Sequence, residues 1–319
     1  MLITRVIVSI FSVGLLELAP GTVSGQDFPN KPIRIVTAAA GGGSDTTARL
    51  IAQGISGPLG QPVIVENRPT FVAIETVAKA PPDGYTLLVT GASFWINPLL
   101  QKLSYDAVRD FAPISLISRE VFILAVHPSM PVKSVKELIA LAKARPGELN
   151  FGSSTPGGPG SLGAELLKSM AGVNIVNVPY KGNIAAVTAL VSGEIQLMVA
   201  DMPLVVPHVK SGKLRALAVT SAESSALVPG LPTVAASGLP GYGLDGATGS
   251  WAPAKTPTAI INRLNQEIVR FLNQPDVKER ILNAQAEVIA SSPEQFAAIM
   301  KSDIAKWSKV IKDAGIKSN

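Results

Sequence analysis

Ile33-Arg34-Ile35-Val36-Thr37-Ala38-Ala39-Ala40-Gly41-Gly42-Gly43-Ser44-Asp45 runs from a short β-branched stretch through a loop of small residues into a helical pattern. The first five residues have strand composition. From Ser44 onward, Leu50, Ile51 and Ile55 share one helical face, with Ser44 or Asp45 as the expected N-cap. The same order recurs further along: the short run Asn150–Gly152, the loop Gly152-Ser153-Ser154-Thr155-Pro156-Gly157-Gly158-Pro159-Gly160, then a helix over Ser161–Met170. The first N–H groups of a helix have no intrahelical partner, and the helix dipole adds positive potential there, so such entrances attract anions. Two of them, far apart in sequence, suggest a two-sided clamp for a small acid.

The rest of the chain repeats this alternation. Val63–Glu66, Thr86–Thr90, Ile114–Ser118, Val121–Val126, Asn174–Val178, Gln196–Val199 and Leu214–Thr220 read as further strands, and Ser134–Ala144 and Ile184–Val191 as helices between them. Alternation of this kind implies an α/β protein with parallel sheets covered by helices. The last part is helical: Pro257–Leu272, Pro275–Asn283 and Pro293–Ala314 each begin on a proline, a residue favoured at helix starts. Phe296, Met300, Ile304, Trp307 and Ile311 recur at spacings of 3 and 4 and read as a packing stripe. Two crossings between lobes are expected, one near Phe122–Pro128 and one through the Gly- and Pro-rich segment Pro229–Gly249. They divide the chain into residues 26–125 plus 247–319 as one discontinuous lobe and 126–246 as the other.

Composition narrows the function. The 319 residues are 47% hydrophobic and 16% charged, enough for a sizeable core, and the net charge of +5 is scattered, with no basic stripe. Aromatics are 5%, too few for a base-stacking surface, so no nucleic-acid partner is expected. Cysteine is absent, which excludes disulfides and thiolate sites. The two histidines, His127 and His208, lie beside prolines in no metal-ligand spacing, so neither a metal nor another cofactor is implied. Residues 1–25 open with Arg5, continue with an apolar run over Val6–Leu16 and close on Val23-Ser24-Gly25. This is the pattern of a cleavable secretory signal peptide, and it implies a mature periplasmic protein beginning near Gln26.

The candidate site follows from the two loops. Ala40, Gly41, Gly42, Gly43 and Ser44 form one expected wall, donating mainly through main-chain N–H groups. Asp45 is read as an N-cap, or as a partner for a ligand ammonium group. Ser153, Ser154, Thr155, Gly157, Gly158 and Ser161 form the opposite wall, with hydroxyls able to surround a carboxylate. Ser93, Tyr180 and Asp201 each follow an apolar run and are placed at the cleft edge. Asp201 either accepts from a ligand hydroxyl or ammonium or caps the following helix. Lys181 neutralises the ligand or is solvated, and Phe94 and Trp95 floor the cleft or pack in the core. An enzyme is not expected: there is no Gly-x-Gly-x-x-Gly fingerprint, no P-loop and no Gly-x-Ser-x-Gly elbow.

Several phrases occur together in order: Phe28-Pro29-Asn30-Lys31-Pro32-Ile33-Arg34-Ile35-Val36, Gly41-Gly42-Gly43-Ser44-Asp45, Leu59-Gly60-Gln61-Pro62-Val63-Ile64-Val65-Glu66-Asn67-Arg68-Pro69, Pro82-Asp83-Gly84-Tyr85-Thr86-Leu87-Leu88, Asn177-Val178-Pro179-Tyr180-Lys181-Gly182 and Ser211-Gly212-Lys213-Leu214-Arg215-Ala216-Leu217-Ala218-Val219-Thr220. Over nearly all of residues 26–319 the chain resembles the substrate-binding proteins of tripartite tricarboxylate transporters, the Bug family. The resemblance implies a two-lobed type II periplasmic-binding-protein fold, each lobe a mostly parallel sheet flanked by helices, with the ligand cleft between them. It implies capture of a small organic acid or amino acid, with a membrane permease of one large and one small subunit as a possible partner; the protein itself is expected to be a monomer. A sensor role toward a receptor kinase is the alternative. Two departures from the family pattern stand out. Thr70-Phe71-Val72-Ala73-Ile74-Glu75 replaces a glycine-rich loop, and Ser161-Leu162 replaces a His-Leu pair.

Overall fold

The computed structural model describes residues 28–153 and 158–313. The expected signal peptide therefore lies outside the described residues, as do Ser154, Thr155 and Gly157 of the expected second wall. Two sheets carry the fold. The first is built from β1 (Ile33–Thr37), β2 (Val63–Asn67), β3 (Thr86–Gly91), β4 (Phe111–Glu120), β10 (Gly246–Pro253) and β11 (Ala286–Val288), in the order β11-β4-β10-β3-β1-β2. The second is built from β5 (Phe122–Val126), β6 (Asn150–Ser153), β7 (Val176–Pro179), β8 (Leu197–Asp201) and β9 (Arg215–Val219), in the order β7-β6-β8-β5-β9.

Helices follow the parallel strands. In the first sheet α1 (Gly43–Leu59), α2 (Thr70–Ala78) and α3 (Ser93–Leu100) come after β1, β2 and β3. In the second, α4 (Val135–Ala144) leads into β6, and α5 (Pro159–Ala171), α6 (Asn183–Ser192) and α7 (Met202–Lys210) come after β6, β7 and β8. The tail adds α8 (Thr258–Leu272), α9 (Pro275–Asn283) and α10 (Pro293–Asp313). Local chemistry sets the ends of these elements. Gly60 adopts φ +67 after α1, the left-handed geometry that stops a helix without a Cβ penalty. Ser134 Oγ accepts from Glu137 N at 3.2 Å at the start of α4, and Glu137 Oε2 accepts from Lys133 N at 2.6 Å, a variant of the capping box bonded one residue before the N-cap.

The sheets are mixed, which modifies the expectation of nearly parallel ones. β1 pairs in parallel with β2 and β3, and β6 with β7 and β8. β10 is antiparallel to both β3 and β4, and β5 is antiparallel to both β8 and β9. The sequence reading missed β10. Gly246-Ala247-Thr248-Gly249-Ser250-Trp251-Ala252-Pro253 has the small residues of a loop, yet it is a central strand with almost every residue buried. The reason is close packing: a Cβ on Gly249 would lie 2.3 Å from the Phe296 ring of α10. β5 also departs from expectation. It belongs to the second sheet, so the chain leaves the first sheet at Val121, not after residue 125, and returns at Gly246.

Of the expected tail stripe, Phe296, Met300, Trp307 and Ile311 of α10 are buried and Ile304 is partly buried; Val310, not in the expected stripe, is buried with them. Trp251 sits with its ring 4.9 Å from Phe296 and 4.8 Å from Phe94, and Trp95 lies 6.0 Å from Phe296. Phe94 and Trp95 are therefore packing residues and do not floor the cleft. Among the described residues no helix is long and apolar enough to cross a membrane.

Candidate functional site

Parallel strands in one sheet end on the same edge, and the helices after them begin there. The carboxyl ends of β1 and β4 from the first sheet and of β8 from the second open onto one cleft of about 970 Å³. Gly41, Gly43, Thr46, Thr47 and Arg49 line it from the α1 entrance, Ser118 and Glu120 from β4, and Asp201, Met202 and Pro203 from the start of α7. Arg280 and Gln285 close one side.

The α1 entrance differs in detail from the sequence expectation. The N-cap is Gly42, in extended geometry and without a side chain to cap with, so neither Ser44 nor Asp45 holds that position. Asp45 is buried in the first turn, and its carboxylate turns back toward the loop. It accepts from Gly41 N at 2.9 Å, from Asn67 Nδ2 at 2.8 Å and from Arg49 Nε at 3.0 Å. Burial pushes its carboxyl up, but these donors outweigh burial and hold it below the ordinary aspartate value. Its oxygens are occupied by the protein, so the reading of Asp45 as a partner for a ligand ammonium has no support in this geometry. Of the three glycines, Gly41 alone has a positive φ, +82. Ala40, Gly41, Gly42 and Gly43 are exposed around the entrance, and Ser44 is half-buried behind them.

Of the expected second wall, Gly158 is the N-cap of α5, again without a side-chain cap, and Ser161 is buried in the first turns of that helix; neither is among the residues that line the cleft. Ser153 is buried at the end of β6, and its hydroxyl donates to Asn177 Oδ1 at 2.8 Å on the neighbouring strand. That hydroxyl ties β6 to β7. Tyr180 points its hydroxyl to Glu194 Oε1 at 2.9 Å. Ser93 opens α3 and is exposed, and Lys181 is exposed as well. Asp201 occupies the N-cap position of α7 but makes no capping bond; it accepts from Asn183 Nδ2 at 2.5 Å and faces the cleft. Burial raises its carboxyl, against the Asn183 bond.

Sequence reasoning missed Glu120, Arg49, Asn67 and Asn183. Glu120 and Arg119 are two charges between two apolar runs, and that interruption is the one local signal of the crossing. Glu120 lines the cleft, and burial raises its carboxyl, with the Asp201 charge adding to the effect. Among the described residues no group of three His, Asp or Glu side chains is placed to hold a metal.

Two mixed α/β sheets joined by paired crossings, with a cleft lined from both, have the two-lobed architecture of the periplasmic-binding-protein fold. The chain belongs to the tripartite tricarboxylate transporter family receptor family, whose profile matches residues 47–316. It is 33% identical over 302 residues to protein BugT of Bordetella pertussis (strain Tohama I), covering 92% of this chain and 93% of that protein. Among solved structures it is similar to R. palustris Rpa4515 with adipate, at 36% identity and a TM-score of 0.73 over 91% of this chain and 99% of the other. MatC (Rpa3494) from Rhodopseudomonas palustris with bound malate aligns at 31% identity and 0.68 over 89% and 100%. The periplasmic binding protein BugD aligns at 30% and 0.70 over 92% and 100%. These relatives are binding and receptor proteins, and this chain is of that class, not an enzyme.

Proposed function

We propose that this protein is exported by a cleaved N-terminal signal and, as a monomer, captures a small carboxylate between its two lobes for delivery to a tripartite permease. The observation that carries the reading is the cleft itself. It is walled by a helix entrance whose N-cap is a glycine, so the first N–H groups of α1 are left for a ligand. Adipate in one relative and malate in another support the ligand class. The crossings at Val121 and just before Gly246 serve as the hinge, and a ligand that touches both lobes favours the closed form by its additional contacts there.

Mass spectrometry of small molecules released from gently purified protein, followed by calorimetry with adipate and malate, tests the reading. Gly42→Val places a side chain at the α1 entrance, where φ is −81 and the nearest atom to a new Cβ is 3.5 Å away. The variant is expected to fold and to lose at least tenfold in affinity. Full affinity in that variant, or binding of uncharged compounds alone, would remove the anion site from α1.

A further inference from the structure

The cleft has an acidic side that carboxylate capture leaves unused. Glu120 comes from the first sheet and Asp201 from the second, and both line the space between the lobes. They differ from Asp45, whose carboxylate is bonded by Arg49, Asn67 and Gly41. Among the described residues neither Glu120 nor Asp201 has a cationic partner. Glu120 Oε1 accepts one long bond from Thr248 Oγ1 at 3.4 Å, and Asp201 accepts from the neutral Asn183. The Glu120 carboxylate also stands close to the α1 entrance: a Cβ built on Gly43 would lie 3.9 Å from its Oε1. Neither cation on the cleft wall forms an ion pair with Glu120 or Asp201. Arg49 is turned to Asp45 and Asn67, and Arg280 is exposed on α9.

Unpaired carboxylates in a partly desolvated cleft are unfavourable, and two of them repel. A third carboxylate, from the ligand, adds to that repulsion unless the ligand also brings positive charge or a donor. The raised carboxyls of both residues agree with this picture, burial being the main cause in each.

We propose that Glu120 and Asp201 form the acceptor half of the ligand cleft, one from each lobe, and select a carboxylate that also carries a hydrogen-bond donor, an ammonium or a hydroxyl group. The inference rests on the carboxylate reading and sharpens it. The α1 entrance receives the acid group, and the Glu120–Asp201 side receives the donor. Because the acceptors come from different sheets, the donor group is also a tie between the lobes.

Calorimetry on the full protein with length-matched ligands tests this: succinate, malate and aspartate in one series, adipate and 2-aminoadipate in another, and succinamide as the uncharged control. The donor-bearing acid is expected to bind at least tenfold more tightly than its donor-free match in one series or both. The order of aspartate and malate then identifies the donor as ammonium or hydroxyl. In Glu120→Gln the preference is expected to shrink to within threefold, while affinity for the donor-free acid rises because a repelling charge is gone. A general loss of folding would not raise any affinity, so this readout separates selection from stability, and Asp201→Asn repeats it from the other lobe. Equal affinity for both members of every pair, or a preference unchanged in Glu120→Gln, overturns the acceptor role while leaving carboxylate capture intact. Succinamide binding as tightly as succinate, or no acid binding at all, overturns both.

Discussion

Gly246 stands opposite Glu120 in the ladder between β10 and β4, so the two segments that join the lobes lie side by side. One crossing leaves the first sheet directly after Glu120, and the other enters it directly at Gly246. This pairing supports the hinge proposed above, since hinge motion takes up its backbone change in a few residues.

Asp245 is the last residue before that return. Its carboxyl is pushed up to about 6 by burial, with Arg119 and Lys306 only partly opposing the effect, and its Oδ1 is buried without a hydrogen-bond partner. A raised acid binds its proton more tightly in the folded state. Its contribution therefore favours folding fully below the ordinary aspartate value and is lost as pH rises through about 6. Asp245→Asn is expected to raise Tm by a few degrees at pH 7, with little change at pH 4. Thermal melts across pH 4 to 8 check this; equal melting of the two proteins at pH 7 counts against it.

Asp45 has the opposite sign. Its carboxyl is held low by three donors, so its contribution is present above the ordinary aspartate range and fades as pH falls through the depressed folded value. Asp45→Ala removes one acceptor from Asn67, which keeps Ala38 O, and one from Arg49, which keeps Asn67 Oδ1, and frees the Gly41 N–H. The expected cost is about 2 kcal/mol, below the value for a fully buried pair because the Arg49 side chain is 55% exposed. Denaturant unfolding at neutral pH measures it, and a change under about 0.5 kcal/mol, the level of an ordinary surface substitution, contradicts the bonding described.

Gly160 fits α5 against β8. A Cβ there would stand 2.6 Å from the Val199 carbonyl oxygen, which is main chain and cannot swing aside. Gly160→Ala is expected to cost about 1–3 kcal/mol as an overpacked site. Tm reads the effect, and a variant that melts with the wild-type protein refutes the close approach.

Phe296 and Gly249 are coupled by the same logic. Phe296→Ala is expected to destabilise by about 3–5 kcal/mol, since the ring packs on Trp251 and Trp95. Gly249→Ala alone should also destabilise, because its Cβ meets that ring at 2.3 Å. In the Phe296→Ala background the same change should cost much less. A double-mutant cycle measures the difference, and simple additivity denies the contact.

Much of this protein follows from local sequence. β1 occupies Ile33–Thr37 as its β-branched composition requires, α9 begins on Pro275, and the 3- and 4-residue spacing in α10 marks its buried face. The glycine loop before α1 and the Gly–Pro loop before α5 likewise announce helix entrances, because strand, loop and helix are each written in a few consecutive residues. Tertiary structure alone decided how those pieces meet. Gly246–Pro253 is a strand only because β3 and β4 flank it and Phe296 closes over Gly249, a fact absent from its own composition. That the Ser153 hydroxyl donates to Asn177 depends on the neighbouring strand and is absent from its own loop sequence. Glu120 and Asp201 are 81 positions apart in the chain and share a cleft because each ends a strand that opens onto it. Side-chain periodicity reports which face an element buries; which distant partner covers that face depends on packing the whole chain at once, and the cleft is a product of that packing.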